Sequence, residues 1–248
     1  MDLGLDGRRA AVAAASGGLG LASARALLAE GAQVAICGRD EARITAAAAG
    51  LGHGAHPIVA DVGTPEGATA FVDAARAALG GIDVLVANAG GPPAGGFAAT
   101  PVDAYRTALD LNLMSVVAMC HAAVPEMRER GWGRIVAITS VAVRQPNPNL
   151  ILSNTARAGA TAFLKTLARE VAADGVTVNS LQPGAHATDR LRQLHNGDLA
   201  AAAREVPART TGSAEDFGAF VAYLCSRQAA FVTGAAIPVD GGQYAGLL

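Results

Sequence analysis

Along this chain, short uninterrupted apolar runs rich in Val and Ile alternate with longer stretches whose apolar positions recur every three to four residues. The short runs cover residues 10–14, 33–37, 57–60, 82–87, 133–139, 176–181 and 236–239, each bounded by Gly, Asp or Pro. A strand apolar on both faces must be covered on both faces, so these runs predict seven strands of a buried parallel sheet. Helical periodicity fills 19–29, 41–49, 65–79, 109–130, 153–173 and 214–226, several of these ending at Gly31, Gly80, Gly131 or Gly175. Strict strand and helix alternation, with no repeat and no linker, predicts one α/β domain over 1–248. Residues 184–211 break the rhythm and read as an inserted loop with short helical pieces at one end of the sheet. Loops of that kind often close on ligands.

Charge narrows the partners. Lys+Arg 19 against Asp+Glu 21 gives a net charge of -2 without a run of one sign, so there is no basic stripe and no nucleic-acid partner is expected. The start, MDLGLDGRRA, lacks the order of a signal peptide, and the charge-free stretches 44–60 and 84–102 are broken by Gly or Pro. The expectation is a cytoplasmic protein with no membrane partner. Cys37, Cys120 and Cys225 are odd in number and embedded in apolar segments, which predicts buried free thiols. His53 and His56 lack further ligands at suitable spacing, so no metal is expected.

After the first run comes AAASGGLG, residues 13–20, small residues opening a helix. A phosphate can approach backbone only where side chains are absent, and a helix N-terminus then offers free N–H groups at a positive dipole end. Ser16, Gly18, Leu19 and Gly20 are the candidate contacts. At the end of the second run, where an acidic residue would hold a ribose 2′-hydroxyl, stands Arg39, which suits a 2′-phosphate. NADP(H) is therefore preferred and NAD(H) is the second option. The plainer reading of Arg39 is a solvated strand-end arginine. Asp61 and Val62 end the third run, where a carboxylate would meet an adenine amino group. Asn88, Ala89 and Gly90 end the fourth, where small residues admit the adenosine half; either group also suits ordinary turn chemistry.

Together these motifs, with Asn112 in LNLMSV, Ser140 in IVAITS, Pro183 and Gly184 in LQPGAHAT, and VDGG at 239–242, resemble the short-chain dehydrogenase/reductase superfamily over about residues 5–242. The resemblance implies a Rossmann-type doubly wound sheet in the order 3-2-1-4-5-6-7, with a nicotinamide dinucleotide across its carboxyl edge. It also implies a homodimer or homotetramer built on the helices at 109–130 and 153–173, and a contact from Thr188 to the nicotinamide amide. Two departures lie in the nucleotide half: Ala13 and Ala14 replace the family's Thr-Gly pair, and Ala87 replaces an Asn.

The larger departure lies where the family sets its acid, a serine, a tyrosine, a lysine four residues later, and an asparagine that holds a water. Carried over by position, the asparagine is Asn112 and the serine Ser140, but the tyrosine position is Ser153 and the lysine position Arg157. A phenol with a pKa near 10 beside a lysine can be tuned toward neutrality, whereas an alkyl hydroxyl is a far poorer acid and arginine stays protonated to above about 12. Ser153 is thus not a tuned proton donor. One helical turn separates 153 from 157, so both can face the same end of the cofactor, with Arg157 on the nicotinamide ribose or against a developing oxyanion. The plainer reading has Ser153 capping its helix and Arg157 as a structural donor. His186, at the start of the inserted loop, is the candidate replacement acid, against a plain loop histidine.

The sequence points first to an NADP(H)-dependent oxidoreductase moving hydride to or from the carbonyl or hydroxyl carbon of a small-molecule substrate. The alternatives are a non-redox isomerase, cyclase or lyase on the same scaffold, and a noncatalytic nucleotide-binding protein.

Overall fold

The computed structural model describes residues 1–247. In chain order its elements are β1 (Arg9–Val12), α1 (Gly18–Ala29), β2 (Gln33–Gly38), α2 (Glu41–Leu51), β3 (Ala55–Val59), α3 (Pro65–Leu79), β4 (Val84–Ala87), α4 (Val102–Leu109), α5 (Ser115–Glu129), β5 (Gly133–Ile138), α6 (Ile151–Val171), β6 (Val176–Pro183), α7 (Asp189–Leu194), α8 (Leu199–Glu205), α9 (Ala214–Leu224) and β7 (Ala236–Val239). All seven strands run parallel in one sheet ordered β3-β2-β1-β4-β5-β6-β7.

Period-two alternation divides each central strand between two cores. Ala11, Leu85, Ile135 and Ala137 pack under α3, α5 and α6 with Phe71, Met119 and Leu164. Their neighbours Ala10, Val12, Val84, Val86 and Val136 face α1, α2 and α9 with Leu27, Ile44 and Phe217. Both faces of the sheet are therefore consumed, and function is left to the strand ends. The helix starts follow capping rules: Asp40 accepts from the Arg43 N–H, Thr64 from Gly67 with Pro65 next in line, and Ser213 from Asp216. Cys37, Cys120 and Cys225 are buried free thiols, as the sequence predicted, and burial pushes each of them up to about 12.

Several strand ends shift by one or two residues from the sequence reading, and two differences bear on the site. β1 stops at Val12 because Ala14 turns into the left-handed region at φ 47°. The helix expected at 109–130 is α4 followed by one π-turn, Asp110–Met114, and then α5, so helical backbone begins at Val102, seven residues earlier than expected. The whole run Val102–Glu129 is long and apolar enough to cross a membrane by length and composition, which the broken charge-free stretches had not suggested. Its apolar face is taken up by the sheet, with Val116, Met119, Cys120, Ala123 and Met127 in the core. Of the two readings of Ser153 the capping one does not hold: α6 begins at Ile151 with Leu150 in the capping position, so Ser153 lies inside the first turn and caps nothing.

Candidate active site

A cleft of about 1510 Å³ runs along the carboxyl ends of the strands, beneath the inserted loop. One half of it is built on the β1–α1 turn. Ser16, Gly18, Leu19 and Gly20 all line it. A Cβ on Gly20 would sit 2.7 Å from the Ala14 carbonyl and 2.9 Å from Asn88 Nδ2, so only glycine closes this turn. Asn88 fixes the turn from β4, donating from Nδ2 to the carbonyls of Ala13 and Ala14 at 3.2 Å each. No side chain caps α1, so its first N–H groups face the cleft unspent. That vacancy at a bare turn is what a pyrophosphate requires.

Two arginines flank this turn. Arg39 leaves β2 exposed on the cleft wall, and Arg43, in the first turn of α2, brings Nη2 within 4.0 Å of a Cβ built on Gly17. Arg43 escaped the sequence reading, although its place three residues after the Asp40 cap aims it back at the turn. Past the end of β3 Asp61 is exposed on the cleft wall; one of its oxygens accepts from Gly63 N–H at 2.9 Å, leaving the other free. Val62 and Ala89 are buried beneath the cleft and Gly90 is exposed at its edge.

At the other end Ser140, Ser153 and Arg157 line the cleft, and Arg157 and Asn112 meet at the Gly90 carbonyl. The π-turn rotates Asn112 inward, where Nδ2 donates to the Gly90 carbonyl at 2.9 Å and the buried Oδ1 has no partner among the described residues. Arg157 is buried and donates from Nη1 to the carbonyls of Ile138 at 2.8 Å and Thr139 at 3.1 Å, and from Nη2 to those of Ala89 and Gly90 at 3.4 and 3.5 Å. The reason lies in the sheet. Thr139 N–H donates to Leu181 O, and the next rung of a parallel ladder would come from residue 183. Pro183 has no N–H, and the guanidinium supplies the missing donor. Burial, and after it the field of Arg190, pulls Arg157 down to about 10, so it remains a cation at neutral pH. Arg157 therefore ties β5 to the strip after β4 as well as charging the cleft.

Ser140 accepts the Ala142 N–H at 3.1 Å, which leaves its own O–H to donate. Ser153 is 8% exposed, lines the cleft, and has no hydrogen-bond partner among the described residues. His186 also lines the cleft but is held on both sides: Nδ1 lies 3.3 Å from the Gly184 carbonyl, the ring meets Phe217 edge-on at 5.1 Å, and a Cβ on Gly212 would come within 2.7 Å of Nε2. Burial lowers its pKa, so the ring is neutral and packed as a loop anchor. Thr188 caps α7 and rests its methyl over Gly18, 3.7 Å from a Cβ built there, while Gly184 is fixed by its N–H to Val239 O. The inserted loop thus closes over the turn, and its helical pieces are α7 and α8. Arg190 of α7, which nothing in the sequence marked, crosses the cleft to the Pro92 carbonyl at 2.7 Å. None of Tyr105, Tyr223, Tyr244 and Lys165, the chain's only lysine, lines the cleft.

The family model described as enoyl-(acyl carrier protein) reductase matches residues 13–243. Nodulation protein G of Rhizobium sp. (strain N33) is 36% identical over 241 residues, covering 96% of this chain and 97% of that protein. The 3-oxoacyl-[acyl-carrier-protein] reductase FabG of Escherichia coli (strain K12) is 34% identical over 242 residues, 98% of this chain and 99% of its own. Among solved structures, L-sorbose reductase from Gluconobacter frateurii, complexed with NADPH and L-sorbose, superposes with a TM-score of 0.92 at 33% identity over 100% of both chains.

Proposed function

The chain belongs to the short-chain dehydrogenase/reductase superfamily, and from that premise we propose that it is an NADP(H)-dependent oxidoreductase acting on a carbonyl or hydroxyl carbon through Asn112, Ser140, Ser153 and Arg157. The observation that carries this reading is the uncapped α1 N-terminus, closed by Gly20 and Asn88 and flanked by Arg39 and Arg43. Ser16, Gly18, Leu19 and Gly20 would hold the pyrophosphate, Arg39 and Arg43 the 2′-phosphate, and Asp61, Val62, Asn88, Ala89 and Gly90 the adenosine half. Pro183, Gly184 and Thr188 would meet the nicotinamide end. NADPH, when bound, supplies the hydride.

What the chain's own residues do is stabilise charge. The O–H groups of Ser140 and Ser153 donate to the substrate oxygen, and Arg157 holds a fixed positive charge behind them without releasing a proton. Asn112 and Arg157 together hold the Gly90 carbonyl and so would fix the backbone beneath a bound nicotinamide. The space left where the family has a phenol admits water, which we assign as the proton source, since His186 is neutral and its ring is packed on both edges. We also read the chain as a homodimer or homotetramer, because Phe97, Val102 and Met114 leave apolar side chains exposed along the edge of α4 and α5.

The test is a fluorescence titration with NADPH and NADH. The reading expects NADPH to bind at least about tenfold tighter, roughly 1.4 kcal/mol, and the preference to vanish in Arg39→Ala with Arg43→Ala. Equal affinities for the two nucleotides, or binding of neither, overturn it.

A further inference from the structure

The reactive end of the cleft holds two cations and no anion to match them. Arg157 approaches the strip Ala89–Pro92 from the sheet side and Arg190 approaches it from the inserted loop, each bound to its carbonyls. Among the described residues no carboxylate lies within ion-pairing distance of either guanidinium, whereas the half-buried Arg9 pairs with Asp83 and Arg76 with Glu126. Arg134 and Arg144 also lack a carboxylate, but they lie outside the cleft, set on carbonyls and against the rings of Trp132 and Tyr244. The acids on the cleft wall are Asp61 at the adenine end and the exposed Asp189 and Glu205, and none of them pairs with Arg157 or Arg190. The remaining polar groups of this end, Ser140, Ser153, Gln145, Asn147 and Asn149, are neutral.

Arg190 is also shaped to receive something. Its guanidinium lies flat on bare backbone, for a Cβ on Gly91 would come within 3.0 Å of Nε and Nη2. It is half-buried, and only Nη2 is used, on Pro92 O, so Nε and Nη1 still offer donors to the cleft. Burial and, after it, the like charge of Arg190 lower Arg157, and burial lowers Arg190, so each cation is held at a cost that an anion between them would relieve. Nη2 spends one of its two hydrogens on Pro92 O, and the other stands beside the free N–H of Nε or of Nη1, an edge that matches a carboxylate in two-point contact.

We propose that the substrate carries a carboxylate, received by Arg190 beside the strip Ala89–Pro92, so that the enzyme acts on oxo or hydroxy acids rather than on neutral carbonyl compounds. The proposal rests on the cofactor reading above only for where the reacting carbon lies, next to Ser140 and Ser153.

Calorimetry on the full chain, with and without NADP+, tests it with straight-chain 2-oxo and 3-oxo acids of about four to eight carbons and their methyl esters. At least one acid is expected to bind at least about tenfold tighter than its ester. That preference should fall severalfold or more in Arg190→Met and be partly kept in Arg190→Lys, with NADP+ affinity unchanged in both. Acids and esters that bind alike, a panel in which nothing binds, or a preference that survives in Arg190→Met overturns the proposal. Absence of heat with NADP+ itself would remove the cofactor reading alone, and the acid-to-ester ratio without nucleotide would still decide this one.

Discussion

Ala14 is the residue whose replacement has the most calculable outcome. It stands at φ 47°, in the left-handed region, at the point where the chain leaves β1 and turns into the nucleotide site. For a residue with a Cβ that conformation costs about 1–2 kcal/mol. Ala14→Gly removes the cost but gives the unfolded chain more freedom, an opposing effect of about 0.4–1 kcal/mol. The first effect is the larger, so the variant should be more stable by about 0.5–1 kcal/mol, or roughly 1–4 °C in Tm for a chain of this size. Its neighbour is the control. Ala13 is fully buried with negative φ, so Ala13→Gly relieves no strain, loses a packed methyl and should destabilise by about 1–2 kcal/mol. Urea unfolding of the two variants beside the parent measures both signs at once. Destabilisation by Ala14→Gly comparable to that by Ala13→Gly would refute the turn geometry and, with it, the approach of a phosphate to this backbone.

Three further outcomes follow from the site. Arg157→Met strips the carbonyls of Ile138 and Thr139 of their donor, and since an orphaned buried acceptor costs about 1–3 kcal/mol, chemical unfolding should show a net loss of at least about 1 kcal/mol that Arg157→Lys partly restores; unchanged stability would mean the guanidinium ties nothing. Because His186 has a folded-state pKa below its unfolded value, the unfolded chain binds the proton first: its stabilising contribution is complete above about pH 6.5 and declines as pH falls from there toward the folded pKa, so His186→Gln should flatten the pH dependence of Tm on that acid side. Light scattering should give a mass of two or four chains, and Met114→Glu should reduce it; a monomer at all concentrations contradicts the assembly proposed.

Much of the fold was legible because each strand is apolar on both faces, and such runs are short and sharply bounded: all seven appear in the sheet, with their order implied by resemblance. The first helix of the Val102–Glu129 run was missed because a π-turn shifts the apolar stripe out of register at Asn112, hiding the phase of what precedes it. Ser140, Ser153 and Arg157 could be found by position, but not what holds Arg157, since a strand proline that withdraws an N–H shows its effect only when the partner strand is known. Arg190 was invisible for a different reason: it sits in the aperiodic insert, and its partner, the Pro92 carbonyl, is contributed by backbone ninety-eight residues away. Arginine at 157 is also a weaker sign alone than serine at 153, because the chain carries one lysine among 19 Lys+Arg residues.

In the reaction proposed above, hydride is delivered beside two serine hydroxyls and a fixed cation, with no titrating phenol. Single-turnover transfer from NADPH deuterated at C4 to a 2-oxo or 3-oxo acid measures this directly. The native chain should place deuterium on the carbinol carbon at a rate that does not titrate between about pH 6 and 9, where neither an alkyl hydroxyl nor Arg157 ionises. Label transfer that is absent from the native chain and appears only in Ser153→Tyr with Arg157→Lys would contradict it.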